Sequence, residues 1–386
     1  MFFSVTHHDS DPRFFNHHKH NNLNFNCDDG WQRLAYEQHT IYYKGYVVDN
    51  NLQKIVKNFV NDPEPCYQGN FCCVIFDNNT CTITHDRHRG FPLYQNNQII
   101  TNLKPLDQAE TVFADRYVTT DQLFQQNTCN FDNGQKDSII SVNYQLGIDQ
   151  IIEQIHLHVK AHGTAVVPKI FLSGGVDTLL VASMIDAFEL DYEKIHYEHI
   201  DYDNFLYRNK EVIKKNYWAY NQIHHWRTGA SLYSGACGDE FLIRGPTTCA
   251  LWSAWHDINI VERLCSEHYH YNYFLQEKNK QIFLDAWKNR YQIREQFTSY
   301  ESLAQQILNI NVNDHQHWHL GNTITITPFK NLNLTKIILG MPVENILDQI
   351  LDAKINKDIM SKFNKSFLEL LTPQKNYNST MKLRYE

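Results

Sequence analysis

A glycine-rich junction between two apolar stretches is the feature that most constrains how this chain folds. An apolar run over 166–172 stops at Ser173-Gly174-Gly175, and a second apolar run follows over 179–188. We interpret the first run as a buried strand and the second as a buried helix. Further strands are predicted over 194–200 and 230–233. Strands that alternate with helices predict an α/β fold with a parallel sheet.

The junction itself has the composition of an anion site. In a parallel sheet, ligands bind at the carboxyl ends of the strands, and the segment from Ser173 to Thr178 follows such an end. Glycines let the backbone approach an anion, and the next helix presents N–H groups at its positive end. Asp177 would repel a phosphate unless a cation lay between them, which indicates Mg²⁺. The alternative is a tight turn in which Asp177 only caps the helix.

The chain divides into three parts. Residues 1–135 consist of short β-rich segments, among them a hairpin predicted over 72–84 with an Asx-rich turn. Residues 136–147 follow a polar stretch and are interpreted as a linker, and residues 148–386 form a second domain. That domain opens with a helix predicted from the isoleucine spacing after residue 148, includes a charged helix candidate over 207–217, and is mainly helical beyond residue 251.

Charge and hydropathy exclude several classes of protein. The formal charge of −8 over 386 residues argues against broad binding to nucleic acid. The first residues turn polar without a basic start, and no apolar run approaches the length of a membrane helix, about 20 residues. Nine cysteines without a CxxC pair favour buried reduced thiols. We expect a soluble cytoplasmic protein with no nucleic-acid or membrane partner.

Two loops resemble those of a known enzyme family. The segment SGGVDT, 173–178, resembles the pyrophosphate loop of the ATP pyrophosphatase (PP-loop) superfamily. The segment YSGACGDEF, 233–241, resembles the SGxGxDELF loop of asparagine synthetases, which faces the pyrophosphate loop in that family. Without the first loop, Asp239 and Glu240 would be interpreted as a solvated helix start.

Other segments resemble the same family. Residues 69–77, 85–87 and 92–94 are similar to the core of class II glutamine amidotransferase domains, which precede the synthetase domain in glutamine-dependent asparagine synthetases. Residues 327–329 resemble the family's VPF segment, and residues 372–375 resemble its RxK stretch. The resemblance implies an N-terminal αββα Ntn-type sandwich and a C-terminal parallel-sheet ATP pyrophosphatase domain with a helical end.

The resemblance also implies site residues and cofactors. ATP and Mg²⁺ are the implied cofactors, with Asp177 and Asp239 as metal ligands and Asp239 and Lys375 as catalytic residues. Ser234, Gly235 and Asp239 would bind the substrate. The implied ATP-binding residues are Leu172, Ser173, Gly174, Gly175, Val176, Asp177, Thr178 and Ile200.

The sequence departs from the family at three places. The glutaminase nucleophile is missing, because Phe2 stands where the family exposes a cysteine. The glutamine-holding NGE segment corresponds to Lys44-Gly45-Tyr46. Since no thiol replaces the nucleophile beside an α-amino base, we predict no glutaminase activity. Ala236 replaces an acid of the second loop, which weakens the assignment of aspartate as substrate.

We therefore expect an ATP-dependent, amide-bond-forming ligase, specifically an ammonia-dependent asparagine synthetase. Its expected partners are small molecules, with a homodimer as the candidate assembly. The alternatives are a carboxylate–amine ligase of the β-lactam or macrolactam synthetase type, a tRNA-modifying PP-loop enzyme, and a non-catalytic nucleotide-binding homologue.

Other polar groups have simpler interpretations. The histidines at 315, 317 and 319 are interpreted as a surface cluster, and residues 17–20 as an exposed polar loop. Lys354 and Lys357 are predicted to be solvated on an amphipathic helix.

Overall fold

The structure is a computed structural model, and it describes most of the chain. The described residues are 3–7, 9–48, 52–61, 68–86, 93–102, 110–112, 116–121, 123, 125–130, 138–161, 168–172, 175–196, 231–235, 237–266, 277–314 and 324–371. Within these residues the fold is a mixed α/β arrangement with two antiparallel sheets, one parallel sheet and helices. No helix in this part of the chain is both long and apolar enough to cross a membrane.

Two antiparallel sheets form the N-terminal region. The first has the order β10-β8-β9-β1-β3-β2 and the second the order β12-β11-β7-β6-β5-β4. The strands of the first are β1 (Phe3–His7), β2 (Asn16–His20), β3 (Leu23–Cys27), β8 (Leu93–Gln95), β9 (Ile99–Thr101) and β10 (Glu110–Val112). Those of the second are β4 (Gln32–Tyr36), β5 (His39–Val47), β6 (Gly69–Phe76), β7 (Thr80–His85), β11 (Arg116–Asp121) and β12 (Gln126–Asn130).

The two sheets pack face to face over an apolar core. Phe25 of β3 and Tyr42 of β5 meet in this core, with their ring centroids 4.3 Å apart. Helix α1 (Leu52–Asn61) covers the outer face of the second sheet through Phe59. Cys72 faces the inter-sheet core and Cys73 faces α1, so the two cysteines point to opposite faces as strand geometry requires. The described residues thus form a helix layer and two sheets of the expected αββα sandwich. They include no helix layer on the first sheet.

The predicted hairpin is confirmed and has a local cause. Strands β6 and β7 pair antiparallel on either side of Asp77. The Asp77 carboxylate accepts hydrogen bonds from the backbone N–H groups of Asn79, at 2.7 Å, and Thr80, at 2.6 Å. An aspartate that bonds backbone two and three residues ahead closes the turn without a glycine.

One expectation about this region is wrong. Residues 17–20 were predicted as an exposed polar loop, but they belong to strand β2, which pairs with β3. His18 lies against Tyr42, and His20 stacks on Phe76 at a centroid distance of 4.1 Å. Burial lowers the pKa of His20 to about 4, so this imidazole is neutral and packs as an aromatic ring. Alternate histidines therefore close one end of the core.

The C-terminal region is built on a parallel sheet. Its order is β14-β13-β15-β16, and all three pairings are parallel. The strands are β13 (Lys169–Leu172), β14 (Glu193–His196), β15 (Ser231–Tyr233) and β16 (Ile324–Ile326). The parallel sheet expected from the alternation of strands and helices is therefore present.

Thirteen helices are described, in the order of the chain. After α1 they are α2 (Tyr144–Lys160), α3 (Val176–Ala187), α4 (Gly238–Phe241), α5 (Pro246–Trp255), α6 (Ile260–Ser266), α7 (Glu277–Lys288), α8 (Arg290–Gln296), α9 (Tyr300–Asp314), α10 (Leu332–Leu339), α11 (Val343–Asp352), α12 (Lys354–Phe363) and α13 (Ser366–Glu369). The first four residues of helix α2 belong to the predicted linker, 136–147. The helix begins there because the Asn143 side chain caps it by accepting a hydrogen bond from the backbone N–H of Leu146.

Helix α3 is the central helix of this region. Every residue from Leu179 to Ile185 is buried, as expected for a helix that is apolar on all sides. It packs against α12 and lies in one continuous apolar core with α2 and the C-terminal helices. Trp252 is fully buried in that core and Trp255 packs against it. This rigid surrounding fixes the N-terminus of α3, where the candidate site begins.

Candidate functional site

Two loops leave the same edge of the parallel sheet. Strand β13 ends at Leu172, and α3 begins at Val176 with Gly175 as its N-cap residue. The neighbouring strand β15 ends at Tyr233 and leads to the short helix α4. Since β13 and β15 are parallel neighbours, both loops lie at the carboxyl edge of the sheet.

Glycines allow the two loops to touch. A Cβ atom at Gly235 would lie 2.8 Å from the carbonyl carbon of Asp177, and one at Gly238 would lie 2.6 Å from Asp177 Oδ1. Real Cβ contacts are not this short, so a side chain at either position would push the loops apart. The second loop therefore rests directly on the first turn of α3, as only glycine permits.

Apolar packing around Cys237 holds the second loop in place. Cys237, between the two glycines, has a φ of 66° and a buried side chain. It packs with Phe241, Leu308 and Leu332. The left-handed backbone at Cys237 turns the chain sharply into α4 and brings Asp239 towards α3.

One guanidinium joins the two loops. Arg244 Nη1 lies 3.1 Å from Asp177 Oδ1, and Arg244 Nη2 lies 2.8 Å from Asp239 Oδ1. The arginine side chain is only 1% exposed, whereas those of Asp177 and Asp239 are 15% and 31% exposed. The Nδ2 group of Asn356, on α12, donates a further hydrogen bond to Asp177 Oδ1 at 2.8 Å. The carboxylates thus lie between a buried cation and the solvent.

The electrostatics of this cluster favour an added cation. Burial raises the pKa of Asp177, Arg244 opposes that shift, and the nearby Asp239 charge adds to it. Burial likewise raises the pKa of Glu240, and the Asp239 charge raises it further. Both acids are harder to ionise than usual, because one arginine does not offset the burial and the mutual repulsion of the acids. A divalent cation here would stabilise their charged forms.

The implied magnesium is consistent with this donor set. Across the described ranges, no group of three or more His, Cys, Asp or Glu side chains is arranged to hold a metal ion. Protein-bound Mg²⁺ commonly takes one or two carboxylates and completes its shell with phosphate oxygens and water. Asp177 and Asp239 supply that number of carboxylates, so the residues present fit a metal that arrives with a phosphate ligand.

The structure places only part of the predicted site. It brings Asp177, Thr178, Gly235 and Asp239 together at the sheet edge. Ser234 follows β15, and its backbone N–H donates to the carbonyl of Ile326 at 2.9 Å. Among the other predicted residues, Leu172 ends β13, and Gly175 and Val176 begin α3. Several predictions fall outside the described residues: Phe2, Ser173, Gly174, Ile200, Ala236, Lys375, the helix candidate at 207–217 and the histidines at 315, 317 and 319.

Sequence reasoning missed Arg244 and Asn356. Arg244 ends the apolar stretch Phe241-Leu242-Ile243, and a charge directly after such a stretch could have marked a buried partner for an acid. Asn356 offers no such signal. It lies on α12 beside Lys354 and Lys357, which pair with Asp358 at 2.7 Å and Asp352 at 2.5 Å. Those two pairings agree with the expected solvated role of the lysines.

The segment predicted to correspond to the glutamine-holding segment contains an ion pair. Lys44 of β5 points between the two antiparallel sheets and lies 2.9 Å from Asp28 Oδ1. Its ammonium also donates to the backbone carbonyl of Asp29. Gly45 has a φ of 119° and lies directly over the backbone of Asn70. The space around Lys44 and Gly45 is therefore occupied by contacts with neighbouring residues of the sandwich.

Comparisons with known proteins give a distant result. No protein-family model matches the chain, and no curated protein matches it significantly. Among solved structures, it is similar to the glutamine phosphoribosylpyrophosphate amidotransferase from B. subtilis, complexed with ADP and GMP, with a TM-score of 0.22 and 9% identity. The match covers 45% of this chain and 51% of that one. The chain thus spans about half the length of that enzyme, and the likeness does not assign it to a family.

Proposed function

We propose that this protein is an ATP-dependent, amide-bond-forming ligase, and that its activity is that of an ammonia-dependent asparagine synthetase. The observation that carries the proposal is the meeting of Asp177 and Asp239 at the carboxyl edge of the parallel sheet. Two carboxylates from two touching loops, beside the N-terminus of a buried helix, suit a nucleotide whose phosphates arrive with a divalent cation.

The first turn of α3 would bind the phosphates. Gly175 caps this helix without a side chain, so a ligand can approach the backbone N–H groups of the first turn. Asp177 and Asp239 would hold the Mg²⁺, which supplies charge neutralisation on the departing pyrophosphate. Ser173 and Thr178 would add hydroxyl donors, and Leu172 and Ile200 would flank the nucleotide. Lys375 would stabilise negative charge that develops on the phosphates.

The chemistry has two steps. A substrate carboxylate oxygen, by resemblance the β-carboxylate of aspartate bound near Ser234 and Gly235, forms a bond to the α-phosphorus, and the bond to the β-phosphate breaks. Ammonia then attacks the acyl carbon, AMP leaves, and the nitrogen loses a proton. The chain contributes chiefly by holding two anions in line for the first step.

Ammonia is the proposed nitrogen source because the sequence differs at the positions where the resemblance implies the groups for glutamine hydrolysis. Phe2 offers no nucleophile, and Lys44 is engaged by Asp28. We propose that this region acts as a scaffold. Hydrolysis of glutamine by the pure protein would contradict this part of the proposal.

One alternative ligase has a specific feature in its favour. Ala236 stands where the related loop has an acid that helps to orient the substrate or move a proton, so this chain lacks the group that suits aspartate in that family. A carboxylate–amine ligase of the β-lactam or macrolactam type would keep the same ATP site and accept a different pair of substrates. A tRNA-modifying enzyme or a non-catalytic binding protein has no such feature.

The test is pyrophosphate release from ATP with Mg²⁺ and aspartate, supplied with ammonia or with glutamine, while asparagine is assayed. Asp177→Asn should lower the rate about 100-fold or more, since a metal ligand is lost. The same variant should stay folded, because the neutral amide replaces a carboxylate whose pKa is already raised by burial. Asp352→Asn, which changes an exposed acid, is the matched control. Wild-type rates in Asp177→Asn would refute the metal role.

A further inference from the structure

Arg244 contacts the two acids in a specific geometry. Its two Nη atoms each approach the Oδ1 atom of a different aspartate, one from each loop. The Oδ1 atom of Asp239 is inaccessible to solvent, although almost a third of that side chain is exposed. The exposed surface of Asp239 therefore lies on its Oδ2 side. Arg244 and Asn356 both donate hydrogen bonds to the Oδ1 atom of Asp177, so its Oδ2 atom faces away from these two donors.

We propose that Arg244 is a positioning residue that sets the spacing and direction of the outer oxygens of Asp177 and Asp239 for the magnesium ion that accompanies ATP. This inference rests on the proposed function of the same site. Arg244 Nη1 donates a hydrogen bond to Asp177 Oδ1, whereas Nη2 forms an ion pair with Asp239 Oδ1, an atom that accepts no hydrogen bond from the described residues. Because a guanidinium is planar and rigid, contacts at its two ends hold the two carboxylates at a fixed separation. Without it the two like charges would move apart.

Charge alone would have the opposite effect. A buried cation beside a metal site repels the metal, so its loss should tighten metal binding if Arg244 acted only through its charge. A positioning role instead predicts that metal binding weakens when the fork is lost, even if the positive charge stays. Arg244→Lys separates the two roles, because lysine keeps the charge but has a single nitrogen that cannot bridge both carboxylates in one plane.

The experiment measures Mn²⁺ binding to the full-length protein by electron paramagnetic resonance, with and without a non-hydrolysable ATP analogue. In Arg244→Lys, Mn²⁺ should bind about 10- to 100-fold more weakly than in the wild type, as is typical when a partner that orients a metal ligand is changed. Arg290→Lys, which alters an exposed ion pair with Asp257, should bind Mn²⁺ as the wild type does. Unchanged or tighter binding in Arg244→Lys would overturn the proposal.

A second variant covers the case in which Arg244→Lys fails to fold. Asn356→Ala removes the other bond to Asp177 Oδ1 without changing any charge. It should weaken Mn²⁺ binding in the same direction and by a smaller factor, and binding equal to the wild type would overturn the shared positioning role. The proposed function can fail separately. If the wild type binds Mn²⁺ but releases no pyrophosphate with any substrate, the ligase is refuted, while weaker binding in Arg244→Lys still supports positioning.

Discussion

Lys44 in the N-terminal sandwich and Arg244 beside the parallel sheet are both buried cations, but they face different numbers of acids. Lys44 pairs with the single carboxylate of Asp28 and with a backbone carbonyl. Arg244 pairs with Asp177 and Asp239, and Glu240 lies near enough for its pKa to be raised by the Asp239 charge. The first cation forms an ion pair with one carboxylate, with the Asp29 charge acting from further away, and the second forms ion pairs with two.

This difference separates a structural ion pair from a candidate binding site. The Lys44 side chain is only 3% exposed and its ammonium is held by one carboxylate and a backbone carbonyl, so this position is closed to solvent. An arginine that faces more than one carboxylate leaves negative charge near the surface. Burial, and then the Asp239 charge, raise the pKa of Asp177, and Arg244 opposes this shift only in part. We therefore expect changes in the sandwich to alter stability, and changes at the sheet edge to alter ATP chemistry.

The largest effect on stability is expected for Lys44→Met. The variant leaves the Asp28 carboxylate without its cation in a mostly buried place, and the loss of one partner of a buried pair costs about 3 kcal/mol. Urea unfolding should show this loss. Pyrophosphate release with ammonia, corrected for the folded fraction, should stay at the wild-type level.

Two further variants sharpen that test. In Lys44→Met with Asp28→Asn, most of the lost stability should return, because no unpaired charge remains and the amide can still accept from Trp31. Lys362→Met, which removes an exposed pair with Asp149, should change the free energy of unfolding by less than about 1 kcal/mol. A fall in the catalytic rate of Lys44→Met would break the distinction between the two regions.

Gly238→Ala should have its main effect on catalysis. The added methyl group would overlap the Asp177 carboxylate and push the two loops apart. A displacement of about 1 Å in a catalytic arrangement can lower the rate about 100-fold. The measurement is pyrophosphate release, with Gly147→Ala as control, since the atoms nearest to its methyl group belong to the flexible side chain of Met341. Equal rates for the two variants would show that the contact between the loops is not needed.

Local chemistry made part of the fold predictable. The β6–β7 hairpin follows from Asp77, whose carboxylate closes the turn within three residues. The burial of α3 follows from a segment without a polar face, Leu179 to Ile185. The approach of Asp177 and Asp239 was predictable because both follow strands of one parallel sheet, and their strands proved to be neighbours.

Contacts between distant segments were not predictable. Asn356 is 179 residues away from Asp177, and only the packing of α12 against α3 brings its amide to the carboxylate. The histidines of β2 were taken for a loop because they are polar. Their burial depends on the aromatic rings of Tyr42 and Phe76, on the facing sheet, which the sequence near His18 and His20 does not reveal.

Acid should destabilise the protein through His158. This side chain is fully buried, and burial lowers its pKa to about 4, so it is neutral in the folded state. An unfolded histidine takes up a proton below about pH 6.5. The stabilising contribution is therefore complete above pH 6.5 and is lost as the pH falls towards 4, with a slope that approaches about 1.4 kcal/mol per pH unit. Urea unfolding at a series of pH values measures this slope.

The variant His158→Asn tests the assignment of that slope. Asparagine does not titrate and can still reach the Tyr46 hydroxyl, so the acid slope between pH 6.5 and 4 should become shallower. An unchanged slope in His158→Asn would assign the acid sensitivity to other buried histidines, such as His20 in the sandwich.

The smallest effect is expected for Tyr46→Phe, at the point where the two regions meet. The Tyr46 hydroxyl lies 3.2 Å from His158 Nδ1 on α2 and accepts from the backbone of Thr327, directly after β16. Its ring lies in the C-terminal core, although the residue belongs to β5. Phenylalanine keeps the ring contacts and removes the hydroxyl, which should cost about 1 kcal/mol in the free energy of unfolding. The exposed Tyr291→Phe is the control and should change it less.

The same variant also tests whether the sandwich influences the candidate site, since Thr327 lies at the carboxyl edge of the same sheet as Asp177. If Tyr46→Phe lowers pyrophosphate release by more than the loss of folded protein explains, the sandwich also adjusts the site. The division between a structural and a catalytic region would then no longer hold.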